Sequence, residues 1–356
     1  MPAAAPNEQS RRQFLASAGA GAVATAGVAA GAGVLTPAFL HTSDKSGLGP
    51  IVLGEGDHQY ECLHDWGELP RSIRYGNTHG VCEDSAGNIY IKHTVHATSD
   101  SDDAIVVFDA AGRFVRSWGA EFKGGAHGLH LQQEADGEYL YLCDPNRHLV
   151  VKTTLDGEDV FRLGVPEESG LYNNEGEYRP TNIAVAPNGD FYVGDGYGKS
   201  WIHQYNAAGE YVRSFGGPGN QRGQVSCPHG LMVDTRHEEP ELIVADRSNR
   251  RIHRFDLQGR VLGVVTDELR SPCHFHTHGN DLLIPDLEAR VTLFDKDNTL
   301  ITHLGDGESY SLRTQPRDKF VPGRFIAPHG AIFDHAGNIF VVEWVEVGRV
   351  TKLRRL

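Results

Sequence analysis

The chain has 356 residues, length enough for one large domain or two ordinary ones with a sizeable core. Its 47 acidic residues outnumber 33 basic ones for a formal net charge of −14, which argues against a nucleic-acid partner. The 42 glycines and the scarcity of helical patterning point to β-structure.

The first stretch reads as an address. Ser10-Arg11-Arg12-Gln13-Phe14-Leu15 precedes an Ala/Gly-rich apolar run from Ala16 to Leu35, the pattern of a twin-arginine export signal. Residues 1–38 are therefore expected to be a signal peptide cleaved near Thr36-Pro37-Ala38, leaving no stable membrane span and a periplasmic or secreted protein. The competing reading is a disordered tail or a single membrane helix. Those 38 residues hold Glu8 against Arg11 and Arg12, a net charge of +1, so the mature chain would carry −14 − 1 = −15. Residues 39–56 read as a linker. Five cysteines, Cys62, Cys82, Cys143, Cys227 and Cys273, include no CxxC pair, and their spacing names no disulfide.

From residue 57 to the end one unit recurs. It opens on a Pro/His-Gly step and an apolar strand, turns at a sequence such as Pro187-Asn188-Gly189, and runs a second strand to an acidic residue. A third strand closes on an aromatic residue, and a fourth ends in an aromatic-Gly pair such as Phe215-Gly216. Four strands per unit describe a propeller blade. The third unit is expected at Thr181 to Ala186, Asp190 to Gly194, Ser200 to Tyr205 and Glu210 to Phe215. Asp144, Asp195, Asp246, Asp286 and Glu343 end the second strands, with His93 as the exception in the first unit.

Six units open at His79, His127, Asn182, His229, His274 and His329, with intervals of 48, 55, 47, 45 and 55 residues. The last unit has only three strands before Leu356, and Tyr60 to Gly67 carries the same aromatic-Gly ending as the outer strands. The fold class is thus all-β, a six-bladed β-propeller whose last blade is closed by an N-terminal strand. The long connections Glu167 to Arg179, Pro218 to Ser226 and Gly305 to Arg324 lie on the face where the histidines begin and would form a rim around a ligand.

In a propeller the opening residue of each inner strand faces the axis. His127, His229 and His329 come from alternate blades, 102 and 100 residues apart, and make an open tridentate set of imidazoles. Such a set suits Zn2+ with a position left for substrate, although iron, copper, nickel or cobalt fit the same ligand type. His79, Asn182 and His274 fill the other three places as a second layer, as substrate contacts or as a second ion site. The competing reading of the whole ring is a polar plug of the channel.

The repeats resemble the NHL pattern, carried by Asn88-Ile89-Tyr90-Ile91, by Val244 to Ile252 and by Asn338-Ile339-Phe340-Val341. A narrower match, over Pro180 to Gly216 with Asp195-Gly196-Tyr197 and over Cys227 to Arg254, is similar to peptidyl-α-hydroxyglycine α-amidating lyase. That resemblance implies a catalytic zinc on His127, His229 and His329, with Tyr197 as the active-site base and Arg247 as an oxyanion or carboxylate partner. The implied reaction cleaves a C–N bond beside a metal-held hydroxyl, on a small-molecule or peptide substrate in the central channel of a monomer.

The chain departs from the family at Thr94, where a second arginine is expected, and at Ala327 and Gly198, where a methionine and a disulfide cysteine are. Gly330 stands in place of an acidic ligand, which weighs against a structural Ca2+ ion. The alternative function is a non-catalytic NHL propeller that binds a peptide, glycan or protein on its rim loops.

Overall fold

A computed structural model describes residues 49–356; the expected signal peptide and the first part of the linker lie outside them. Six antiparallel sheets are present among these residues, five of four strands and one of five. In the third blade the strands run Asn182–Val185, Phe191–Gly194, Trp201–Tyr205 and Tyr211–Gly216, within a residue or so of the ranges read from the sequence. In the sixth sheet Tyr60–His64 lies beside Arg349–Arg355, with Tyr60 opposite Arg355 and His64 opposite Thr351. A two-residue strand, Val52–Leu53, adds to its outer edge. Among the described residues no helix is long and apolar enough to cross a membrane.

Alternation along each strand puts one set of side chains towards the blade in front and the other towards the blade behind, so the core lies between sheets. Ala184, Tyr192 and Ile202 of the third blade pack on Leu231, Val244 and Phe255 of the fourth in this way. The outermost strands have one wet face, as in Val261–Val265, where Leu262 and Val264 are exposed.

The turns follow their residue chemistry. Asp256 Oδ1 accepts from the N–H groups of Gln258 (2.9 Å) and Arg260 (2.8 Å), which closes an Asx turn through Gly259 at φ 83°.

Two local devices aim the repeat's opening residue at the axis. In the first, fourth and sixth blades the ladder between the inner strand and its neighbour shifts register between Thr78 and Gly80, Pro228 and Leu231, and Pro328 and Gly330. His79, His229 and His329 lie within these bulges, which turn their side chains out of the blade. The glycine after the histidine then lets neighbouring inner strands close on each other. A Cβ at Gly128 would lie 2.5 Å from Thr181 O, and one at Gly230 would lie 2.3 Å from Cys273 O.

In four blades the acidic residue that ends the second strand fixes the loop leading into the inner strand. Asp195 Oδ1 accepts from Arg179 N (2.7 Å), Asp246 Oδ1 from Ser226 N (2.6 Å), and Asp286 from Arg270 N and Ser271 N. Glu343 Oε1 accepts from Ile326 N (2.7 Å). All four carboxylates belong to residues with no exposed surface. In the first blade His93 takes this place, and its Nδ1 accepts from Val95 N (3.1 Å).

Candidate metal centre

Three imidazoles meet at the hub. The ring centroids of His127, His229 and His329 form an equilateral triangle with 4.7 Å sides, the rings standing nearly perpendicular to one another. Each ring is anchored in the same way to the opening backbone of the next blade. His127 Nδ1–H donates to Thr181 O (2.6 Å), His229 Nδ1–H to Cys273 O (2.8 Å) and His329 Nδ1–H to His79 O (2.9 Å). With the proton fixed on Nδ1, the lone pair of every ring sits on Nε2.

These rings are nearly inaccessible, at 2 %, 1 % and 4 % exposure for His127, His229 and His329. Burial, reinforced by neighbouring histidines and Arg247, holds His127 and His229 well below the ordinary imidazole range. Burial likewise lowers His329 to about 3. All three are neutral at physiological pH, the state that ligates a metal.

The donor count shows what is missing. Tyr197 Oη lies 3.0 Å from His127 Nε2 and 3.1 Å from His229 Nε2, but its single proton can satisfy only one of them. His79 Nδ1 lies 3.3 Å from His329 Nε2 and supplies the one other proton. Three inward lone pairs therefore share two protons, and one buried acceptor is left without a donor. A cation removes that mismatch, so the donor set fits a divalent transition ion.

A second grouping overlaps the first. Donor atoms of His79, His127 and His329 all lie within 4.8 Å of one another. His79 differs from the other three in that its Nδ1 is turned to a neighbouring imidazole instead of a carbonyl. We therefore treat it as the hydrogen-bond partner of His329 and keep His229, which completes the threefold arrangement.

The other two members of the expected second layer do not join it. Asn182 turns back on its own strand, its Oδ1 accepting from Ile183 N (2.7 Å). His274 donates from Nδ1 to Ala331 O (3.2 Å) and lines a cavity further along the channel.

Tyr197 and Arg247 meet beside the triad. Arg247 Nη1 lies 3.4 Å from Tyr197 Oη, and its guanidinium stands 5.3 Å from the centre of the tyrosine ring. Burial pushes the Tyr197 phenol up to about 12, and Arg247 pulls in the opposite direction. No carboxylate pairs with Arg247 among the described residues; its other side-chain neighbours include Cys227 and Cys273, the latter with Sγ at 4.0 Å. Burial also raises the thiols of Cys227 and of Cys273, the latter to about 12, so both are neutral neighbours of the guanidinium. All five cysteines are buried free thiols.

The sequence reading passed over these two thiols and the three carbonyls that orient the imidazoles. Cys227 and Cys273 sit just before repeat histidines, a position that could have flagged them. Backbone carbonyls leave no trace in a sequence.

No family model matches the chain. Peptidyl-alpha-hydroxyglycine alpha-amidating lyase 1 of Drosophila melanogaster is 28% identical over 217 residues, covering 52% of this chain and 38% of that protein. Lyase 2 of the same species is 30% identical over 185 residues, covering 51% and 42%. The chain is similar to the amidating lyases. It is also 27% identical over 237 residues to human NHL repeat-containing protein 3, covering 60% of this chain and 62% of that one. The matched region thus spans less than half the length of the two lyases. A streptogramin B lyase structure superposes with a TM-score of 0.56 at 13% identity, over 82% of this chain and 97% of that one, a likeness of fold alone.

Proposed function

We propose that the protein is an exported, metal-dependent propeller lyase that cleaves a C–N bond next to a hydroxyl, acting on a peptidyl-α-hydroxyglycine or a related carbinolamide. The observation that carries this reading is the set of three neutral imidazoles facing one another at 4.7 Å between ring centres, with Tyr197 within hydrogen-bond distance of two of them and beside Arg247, which no carboxylate pairs among the described residues. His127, His229 and His329 would hold the ion, with zinc the best match to three imidazoles and an open position. The ion would supply Lewis-acid polarisation of a hydroxyl oxygen, easing loss of its proton.

The chain's own residues account for the rest. Tyr197 Oη, as the phenolate that Arg247 stabilises, accepts the hydroxyl proton; the C–N bond breaks as the new carbonyl forms, and Tyr197 returns that proton to the leaving amide nitrogen. The products are a primary amide and glyoxylate. Arg247 stabilises negative charge on Tyr197 Oη, and its lack of a carboxylate partner leaves it free to hold the substrate's carboxylate. Burial of the hub keeps bulk water from competing for these contacts.

The test is glyoxylate release from a peptidyl-α-hydroxyglycine by the zinc-supplemented protein. The proposal predicts release that chelation abolishes, that zinc restores and that His229→Ala removes. Folded, zinc-loaded protein that releases no glyoxylate overturns the substrate assignment.

A further inference from the structure

One buried carboxylate pins the turn that carries Tyr197. That tyrosine is the middle residue of the turn at residues 195–199, which follows the strand Phe191–Gly194. Asp195 Oδ2 accepts from Lys199 N (2.6 Å) and Asp195 Oδ1 from Arg179 N (2.7 Å). Arg179 O in turn accepts from Tyr197 N (3.3 Å). A Cβ at Gly198 would lie 2.1 Å from Asp195 Oδ1, so the turn closes directly over the carboxylate.

In three of the other blades a guanidinium neutralises the equivalent group. Arg147 pairs with Asp144 (2.8 Å), Arg251 with Asp246 (2.6 Å) and Arg349 with Glu343. Among the described residues no arginine or lysine side chain pairs with Asp195. A phenol takes that place: Tyr172 Oη, from the long connection at residues 167–179, donates to Asp195 Oδ2 (2.8 Å).

The groups behind that phenol form a relay with a single orientation. An ionised Asp195 can only accept, so Tyr172 must be the donor. Tyr172 Oη then accepts from His203 Nε2–H (2.7 Å), which leaves the imidazole lone pair on Nδ1, where Ser214 Oγ donates (2.8 Å). Tyr211 Oη donates to Ser214 Oγ (2.8 Å) and completes the chain. Asp195 and His203 have no exposed surface, and burial lowers His203 to about 3, so its ring is neutral. Burial raises Asp195 to about 6, while the donors from Arg179, Lys199 and Tyr172 favour its ionised form. Tyr172, His203 and Ser214 make no hydrogen bond to the triad, so they reach Tyr197 through Asp195.

We propose that Tyr172 is a positioning residue for Tyr197: its hydroxyl, oriented by His203 and Ser214, fixes the Asp195 carboxylate and with it the turn that holds Tyr197 Oη beside the triad. The effect on turnover rests on Tyr197 acting as the base of the proposed reaction. Without the Tyr172 hydroxyl, His203 Nε2–H loses its acceptor and Asp195 Oδ2 loses one of its donors. Buried polar groups left short of partners are costly, and the turn relaxes to regain them. A shift of about 1 Å in a group that takes a proton from substrate costs about 100-fold in rate.

The test is steady-state glyoxylate release, with metal analysis, for zinc-loaded wild type, Tyr172→Phe and His203→Gln, together with crystal structures of wild type and Tyr172→Phe. Tyr172→Phe should lower kcat about 10–100-fold while KM and zinc content stay within about twofold of wild type. In its crystal Tyr197 Oη should stand away from His127 Nε2 and His229 Nε2 relative to wild type. His203→Gln, which keeps an amide donor for Tyr172 Oη, should retain kcat to within about threefold. A folded Tyr172→Phe with wild-type kcat, or a lowered kcat with Tyr197 unmoved, overturns the proposal. Should wild type itself release no glyoxylate, the substrate reading fails alone and the crystals decide the positioning role: a displaced Tyr197 upholds it, an unmoved one overturns it.

Discussion

Replacing Gly230 by alanine probes the link between the repeated His-Gly step and the metal centre. The new Cβ would lie 2.3 Å from Cys273 O and 2.8 Å from His274 Cα, both backbone atoms of the next blade. Neither can swing aside as a side-chain tip would, so the two inner strands must separate. Overpacking of this kind costs about 1–3 kcal/mol. The displaced carbonyl is also the acceptor that holds His229 Nδ1–H at 2.8 Å, so the ring loses its anchor.

Loss of such an outer partner weakens metal affinity about 10–100-fold. Urea denaturation and a competition titration with a zinc chelator measure the two effects on one preparation. Gly263→Ala is the control, because its Cβ would meet nothing nearer than Arg254 Nη1 at 3.8 Å, and it should stay within about 0.5 kcal/mol of wild type. A Gly230→Ala protein with wild-type stability and zinc affinity would refute the idea that glycine is there to let the strands close and set the imidazole.

Tyr197→Phe should lower turnover by about 100-fold or more while leaving zinc content unchanged, since the ring packing is kept and only the hydroxyl is lost; glyoxylate release and metal analysis report the two separately. Asp246→Ala removes the acceptor of Ser226 N and the buried partner of Arg251 Nε (2.6 Å), and it should cost about 3–5 kcal/mol in a urea melt. Acid should destabilise the protein. His93 and His203 are each lowered by burial from 6.5 to about 3, so the unfolded chain binds their protons first and stability present above pH 6.5 drains away as pH falls. At pH 5 the loss is roughly 2 kcal/mol for each, opposed by about 1.4 kcal/mol from Asp195, which burial raises to about 6. A melting temperature that rises between pH 7 and pH 5 would contradict that balance.

Much of the fold was legible because its signals are local and repeated. Strand alternation, the Pro-Asn-Gly turn and the spacing of the histidines located the blades, and Tyr211–Gly216 ends where the aromatic-Gly pair said it would. The regularity also misled in one respect. His79, Asn182 and His274 share a repeat position with the triad and read as one layer, yet the structure sends them to three different surroundings.

The reason is local. His79 and His329 both sit in bulges and face each other, whereas Asn182 begins a regular ladder opposite Gly194 and its short amide reaches its own strand instead. His274 lies ahead of a strand that starts only at His276, so its ring is set by the contact with Ala331 O across the channel.

Anomalous scattering from crystals of the zinc-loaded protein tests the central claim most directly. The account predicts a zinc peak about 2.0–2.1 Å from the Nε2 atoms of His127, His229 and His329, with an open position on the side of Tyr197. No peak at the hub of zinc-saturated crystals, or one bound by His79, His127 and His329 with His229 left out, would contradict it.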